Sequence, residues 1–197
     1  MEEAYERLFG EKPRDKCRSP LPKGDHLELD HSEFLGEEET EIYQSLIGSM
    51  QWAVSIGRFD IQVAVMTLSS FRAQPRCGHL DCAKHVYQYL VNFKHYKLRF
   101  RTDLPDYSDV PPISEYIDWS HTAYGNNPEE KPNDAPEPLG KPVIITNYYD
   151  ASLMHDVLTG QAVTGVLHFY NKTHIDWYCK KQATTETATY GSEFLAC

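Results

Sequence analysis

Val143-Ile144-Ile145-Thr146-Asn147-Tyr148-Tyr149-Asp150-Ala151-Ser152 decides the architecture of the second half of this chain. An apolar run closes on an aspartate, which is the pattern of a strand ending at a turn or a site. Further on, Thr187-Ala188-Thr189-Tyr190-Gly191-Ser192-Glu193-Phe194-Leu195-Ala196 sets Glu193 in a helix start. Between them, 162–170 and 174–179 read as strands, with Gly160 and Asn171-Lys172-Thr173 as turns, and 143–150 as the first strand. The order is therefore β-β-β-α. A strand carboxylate followed by a helix carboxylate suits a Mg²⁺-dependent site that cleaves phosphodiesters, because hard cations take oxygen ligands and two-metal hydrolysis converges several carboxylates on one point. The chain stops at Cys197, four residues after Glu193, so the expectation is a unit whose later ligands and final helix are cut short.

Upstream of this unit, eight of the twelve prolines fall between Pro105 and Pro142, among acidic and small residues. Residues 104–142 read as a linker or long excursion, pinned locally by Asp118-Trp119 and Tyr124. Before it, Lys97, Arg99 and Arg101 alternate with Leu98 and Phe100, which predicts a strand with one wet face. From Glu37 the period changes to that of a helix. Tyr43, Leu46, Ile47, Met50 and Val54 form one apolar face, and Ile61, Ala64, Val65, Leu68 and Phe71 a second, with Asp60 as its expected cap and Arg58 beside it in a structural ion pair. Ala83, Val86, Tyr87 and Leu90 form a third. Gly57, Pro75 and Gly78 punctuate them. The span 37–103 is thus a small helical bundle, and 1–36, broken by Pro13, Pro20, Pro22 and Gly24, an extended lead-in with at most a short helix at 2–9. The fold class expected is α+β: an N-terminal helical bundle followed by the unit at 143–197.

At 197 residues the chain can bury a substantial core, and its five cysteines are an odd, sparse count with no signal peptide ahead of them. That favours an intracellular setting, cytoplasmic or nuclear. No apolar run reaches the length of a membrane span, so no membrane partner is expected. The net charge of −10 excludes a chain that grips nucleic acid over its whole surface. Binding to phosphate must be local, and Lys180, Lys181, Arg99 and Arg101 are the candidate contacts. The cluster Cys77-Gly78-His79-Leu80-Asp81-Cys82-Ala83-Lys84-His85 carries ligand residue types, but a structural zinc site needs four well-spaced ligands and most of these crowd into one helical turn, so zinc is not the favoured reading. An aspartate at a strand end is most often a turn residue and a lone helix glutamate a solvated one. Only their pairing in motif context lifts Asp150 and Glu193 to metal ligands.

That context resembles the ribonuclease H region of copia-type LTR retrotransposon polyproteins. The resemblance rests on Tyr149-Asp150-Ala151, Thr164-Gly165, Ile175-Asp176-Trp177-Tyr178-Cys179-Lys180-Lys181-Gln182 and Tyr190-Gly191-Ser192-Glu193-Phe194-Leu195-Ala196. In the first half, Tyr43-Gln44-Ser45-Leu46-Ile47-Gly48-Ser49-Met50-Gln51-Trp52 and Gly57-Arg58-Phe59-Asp60-Ile61 resemble elements of the family's reverse transcriptase thumb and connection. The resemblance implies a ribonuclease H-like fold at 143–197, and two Mg²⁺ ions with Asp150 bridging them and Glu193 positioning the second. It implies attack of a metal-bound water on RNA in an RNA–DNA hybrid, told from DNA by its 2′-hydroxyl. The family's polymerase aspartates would lie upstream of Met1 and its remaining ribonuclease H carboxylates beyond Cys197. The expectation is therefore a transposable-element fragment, inactive alone, with the hybrid and the rest of the polyprotein as partners. The competing readings are a retroelement-derived module that binds protein or nucleic acid without catalysis, and an unrelated small metallohydrolase.

Overall fold

The structure, a computed structural model, describes residues 2–12, 17–22, 26–109, 121, 132–137 and 139–197. Five α-helices and a three-stranded antiparallel sheet follow in chain order: α1 (Glu2–Phe9), α2 (Glu37–Ser55), α3 (Gln62–Ser69), α4 (Cys77–Asn92), β1 (Ile145–Ser152), β2 (Val163–Tyr170), β3 (Thr173–Lys181) and α5 (Thr189–Ala196). The α+β class and the helix-then-sheet order match the expectation. Asp118, Trp119 and Tyr124 lie outside the described residues.

The helical half closes around large side chains. Tyr43, Leu46, Ile47 and Met50 of α2 face Ala64, Val65 and Leu68 of α3 and Ala83, Val86 and Leu90 of α4. Glu37, Glu38 and Glu39 sit in the first turn of α2, where carboxylates oppose the positive end of the helix dipole, and the Gly36 N–H donates to Glu39 Oε2 at 3.3 Å. The buried Tyr43 hydroxyl donates to the Leu68 carbonyl at 2.7 Å, a polar pin between α2 and α3. Gly57 turns the chain out of α2 at φ +120°, and a Cβ there would meet Leu98 Cδ1 at 3.1 Å, so both conformation and space call for glycine.

Three expectations change at this level. Asp60 does not cap α3. It lies in a short 3-10 turn (Phe59–Ile61) and takes a two-pronged ion pair from Arg58, whose Nε and Nη2 each donate at 2.9 Å. The stretch 97–101 forms no strand. It runs extended, and at its end the Arg101 N–H donates to Thr173 Oγ1 (2.7 Å) while that hydroxyl donates back to the Arg101 carbonyl (2.8 Å). A side-chain clasp replaces the ladder. The lead-in is also part of the core: Tyr5, Cys17 and Leu27 are buried, and Tyr5 and Phe9 of α1 pack their rings on Tyr87 of α4.

The sheet runs β1-β2-β3, so β1 and β3 are both edge strands. Asn171, at φ 53°, makes the left-handed turn from β2 to β3, a conformation that asparagine tolerates. A register shift after His168 pairs Phe169 with His174 and His168 with Asp176, leaving Ile175 as the bulged residue. The sheet meets the helical half through rings: His174 lies edge-on to Phe59 at 4.2 Å and stacks on Phe169 at 4.8 Å, and Phe59 touches Trp177 at 5.7 Å. Polar ties flank them. Lys172 pairs with Asp103 at 2.8 Å, Asn171 donates to the Thr102 carbonyl, and the Val157 N–H donates to Glu28 Oε1 at 3.0 Å.

Candidate metal and nucleic-acid site

Asp150 lies near the end of β1, across from Gly165 and then Cys179. The next rung is Ala151, Thr164 and Lys180, and alternation turns its side chains to the other face. That face receives α5. Gln182 donates from Nε2 to Thr164 Oγ1 (3.0 Å) and to the Ser192 carbonyl (2.9 Å), and Ser192 and Ala196 are buried. Small residues on both sides, Ala151 against Ser192 and Ala196, let helix and strand approach closely. The residue before each buried contact is thus Asp150 on the strand, and the residue after is Glu193 on the helix. Asp150 is exposed and Glu193 half-buried. The structure brings the helix of Glu193 onto the strand of Asp150, but onto the face of Ala151, and alternation turns the Asp150 side chain to the opposite face. Among the described residues no group of three His, Cys, Asp or Glu side chains could hold a metal ion. The donor set of the described residues falls short of what a two-ion clamp needs.

The four basic candidates separate into two places. Lys180 is exposed on the rung of Ala151 and Thr164. Lys181 is held at 2.5 Å by Asp156, whose other oxygen accepts the Leu158 and Thr159 N–H groups at 3.0 and 2.9 Å. Burial works to raise the Asp156 pKa, but the hydrogen bonds from Lys181 and Thr159 prevail and leave it below the ordinary aspartate value. Lys181 therefore organises the loop between β1 and β2. Arg99 and Arg101 are exposed at the far end of β3, where Arg101 clasps Thr173. Seven residues of strand separate Thr173 from Lys180, roughly 23 Å. The basic points do not form one patch.

Other clusters resolve as structure. His79 is buried as the third residue of α4, where its Nδ1 accepts the Arg76 N–H at 3.1 Å and its Nε2 lies 2.9 Å from the Leu27 carbonyl. That places it at the start of α4 as a cap, a role that the sequence did not announce. Cys17 Sγ lies 3.2 Å from His85 Nε2, and burial raises the thiol pKa, which disfavours the thiolate that a nucleophile requires. Burial likewise pushes Cys179 up to about 11. Burial, followed by the nearby Asp60 carboxylate, pushes Tyr89 up to about 12. Sequence reasoning missed Gln182 as the bridge between sheet and helix. Its position after Lys180-Lys181 was visible in the motif, but a glutamine in a motif does not announce which carbonyl it will reach.

No helix among the described residues is long and apolar enough to cross a membrane. No family model matches the chain, and no solved structure matches it. Two curated proteins do. One, described as the putative transposon Ty5-1 protein YCL074W of Saccharomyces cerevisiae, is 33% identical over 86 residues, 44% of this chain and 26% of that protein. This chain thus spans about a quarter of its length. The other, described as secreted RxLR effector protein 161 of Plasmopara viticola, is 23% identical over 154 residues, 78% of this chain and 82% of that protein. The partial match to a transposon protein supports a retroelement origin for this chain.

Proposed function

We propose that the chain is a retroelement-derived fragment whose sheet half is of ribonuclease H type, and that it holds an RNA–DNA hybrid without cleaving it unaided. The observation that carries the reading is the seating of α5 on β1 through Gln182, a helix on a strand as the ribonuclease H resemblance implies, and the Asp150 side chain, on the face away from α5, accords with the absence of unaided cleavage. Two carboxylates hold divalent ions poorly, and phosphoryl chemistry depends on that hold for charge stabilisation. Lys180 at one end of β3 and Arg99 and Arg101 at the other give phosphates two separated anchor points on an otherwise acidic chain. The test is fluorescence anisotropy with a labelled hybrid, duplex DNA and duplex RNA, at low and physiological salt, with gel analysis of the same samples in Mg²⁺. Hybrid-preferring binding that weakens with salt and with Lys180→Glu, and no cleavage, is expected. Cleavage that vanishes in Asp150→Asn would show a complete site.

A second reading, a non-catalytic module that binds protein, draws on the match, over most of both chains, to a protein described as a secreted effector. Absence of binding to all three nucleic acids would decide for it.

A further inference from the structure

α2 and its C-cap residue Ile56 carry a buried apolar seam and, on the outer side, a line in which Ile42, Trp52 and Ile56 flank two serines, and the fold buries only the first. The inner seam, Tyr43, Leu46, Ile47 and Met50, is buried in the bundle. The outer seam is Ile42, Ser45, Ser49, Trp52 and Ile56, spaced by three, four, three and four residues, the spacing with which a helix meets another helix in a coiled coil. It is exposed along its length, with Trp52 at 66% and Ile56 at 61%. Residues of this size rarely face water in a line about 21 Å long without a partner.

The seam floors a trough. One hollow of about 980 Å³ lies between the C-terminal half of α2 and the extended stretch after α4, with Leu98 and Phe100 as its far wall and Lys94 and Lys97 at its rim. A second, of about 270 Å³, continues it toward the start of α2, where Glu38 and Glu41 line it, and the two share Ser45, Ser49 and Tyr87. One end is therefore acidic and the other basic, with apolar residues between.

We propose that this face binds a second copy of the same chain, by antiparallel packing of α2 on α2 about a two-fold axis at Ser49. The arrangement is self-complementary. Ile42 of one copy meets Ile56 of the other, and Glu38 and Glu41 of each copy meet Lys94 and Lys97 of its partner copy. The small Ser45 and Ser49 at the crossing let the two helices come close. A two-fold interface requires such matching of a patch with itself, and the polarity of the trough supplies it. Repulsion between two chains of net charge −10 is long-range and is screened beyond about 8 Å at physiological salt, whereas the facing pairs lie within that distance.

The experiment is sedimentation equilibrium of the full chain from 1 to 200 µM, with circular dichroism to confirm the fold of each variant. A monomer–dimer equilibrium is expected, weakened at least tenfold by Trp52→Glu, whose side chain is exposed and outside the bundle core. Glu38→Lys with Glu41→Lys is expected to weaken it as well. Adding Lys94→Glu and Lys97→Glu to that pair should restore the association, which a general loss of stability would not do. A monomer at all concentrations, or a dimer insensitive to Trp52→Glu, overturns the proposal. So does a monomer that binds a labelled oligonucleotide or a helical peptide through Trp52, which would give the trough to another occupant.

Discussion

The helical half and the sheet half bury different kinds of side chain. In the bundle the largest residues point inward: Tyr43, Ile47, Met50, Ile61, Leu68 and Val86 have no solvent exposure. In the sheet half the buried apolar residues are small, Ala151, Ala162, Val163, Val166 and Ala196, with polar groups such as His174 and Gln182 buried beside them, while Tyr148, Tyr149, Tyr178, Tyr190 and Phe194 face out. Apolar area removed from water contributes about 25 cal/mol per Å², so the same chain length yields far more stabilisation in the first half than in the second. The sheet relies on its contacts with the bundle, through Phe59, His174 and Trp177, to remain ordered.

The sharpest way to break this comparison is a pair of truncations. Leu68→Ala should cost about 3 kcal/mol, in the range for a fully buried leucine, and Val166→Ala at the centre of the sheet about 1 kcal/mol. Urea denaturation of both variants measures it, and equal losses would mean that the sheet is as tightly built as the bundle. Hydrogen exchange sharpens the same point: slow amides are expected across α2, α3 and α4 and faster ones across 145–181.

His174 tests the seam between the halves. It is buried among Phe59, Phe169 and Trp177, and among the described residues neither ring nitrogen makes a hydrogen bond of good geometry, the Asp176 main chain offering only a weak one. Burial lowers its pKa below 6.5, with His168 adding to the shift and the Asp176 main chain and carboxylate opposing it. A histidine whose folded pKa is depressed favours the neutral ring, so the unfolded chain takes up the proton first. Stability should therefore fall as pH drops below about 6.5, until the folded pKa is reached. His174→Phe should remove that slope and, at pH 7, stabilise by about 1 kcal/mol, because an unsatisfied buried polar group is replaced by a ring that suits its neighbours. Thermal melts between pH 5 and 8 decide it; an unchanged slope would place the titration elsewhere.

The smallest effect belongs to the loop between β1 and β2. Asp156→Asn keeps the shape but loses the charge that holds Lys181, a pair only partly buried, at a cost of about 1 kcal/mol or less. The folded pKa of Asp156 is depressed. Its contribution is therefore complete above the ordinary aspartate value and lost as pH falls below it, and acid titration of wild type and variant should converge there. A loss as large as that of Leu68→Ala would move the centre of stability into the sheet half.

How far the sequence determined this molecule varies from element to element. The three bundle helices and the three strands follow from local periodicity, because a buried helix face or strand face needs only its own residues to show the pattern. That Asp150 closes a strand and Glu193 stands in a helix was legible for the same reason, since each lies in a short motif whose element type is set locally. The stretch 97–101 shows where that logic ends. Alternation makes a strand possible, but a strand exists only when another strand pairs with it, and here the neighbour is a hydroxyl, that of Thr173. Asp60 had the chemistry of a cap, and a guanidinium two residues away claimed it. Lys181 had the chemistry of a phosphate contact, and Asp156 claimed it from across a loop. Tyr5, in a segment without a clear pattern, is buried because α4 offers Tyr87 and Gln88 to it. Periodicity is written in neighbouring residues, and so the sequence by itself set the elements. The partner that each polar or aromatic side chain takes depends on groups distant in the chain, and only the tertiary structure decided those.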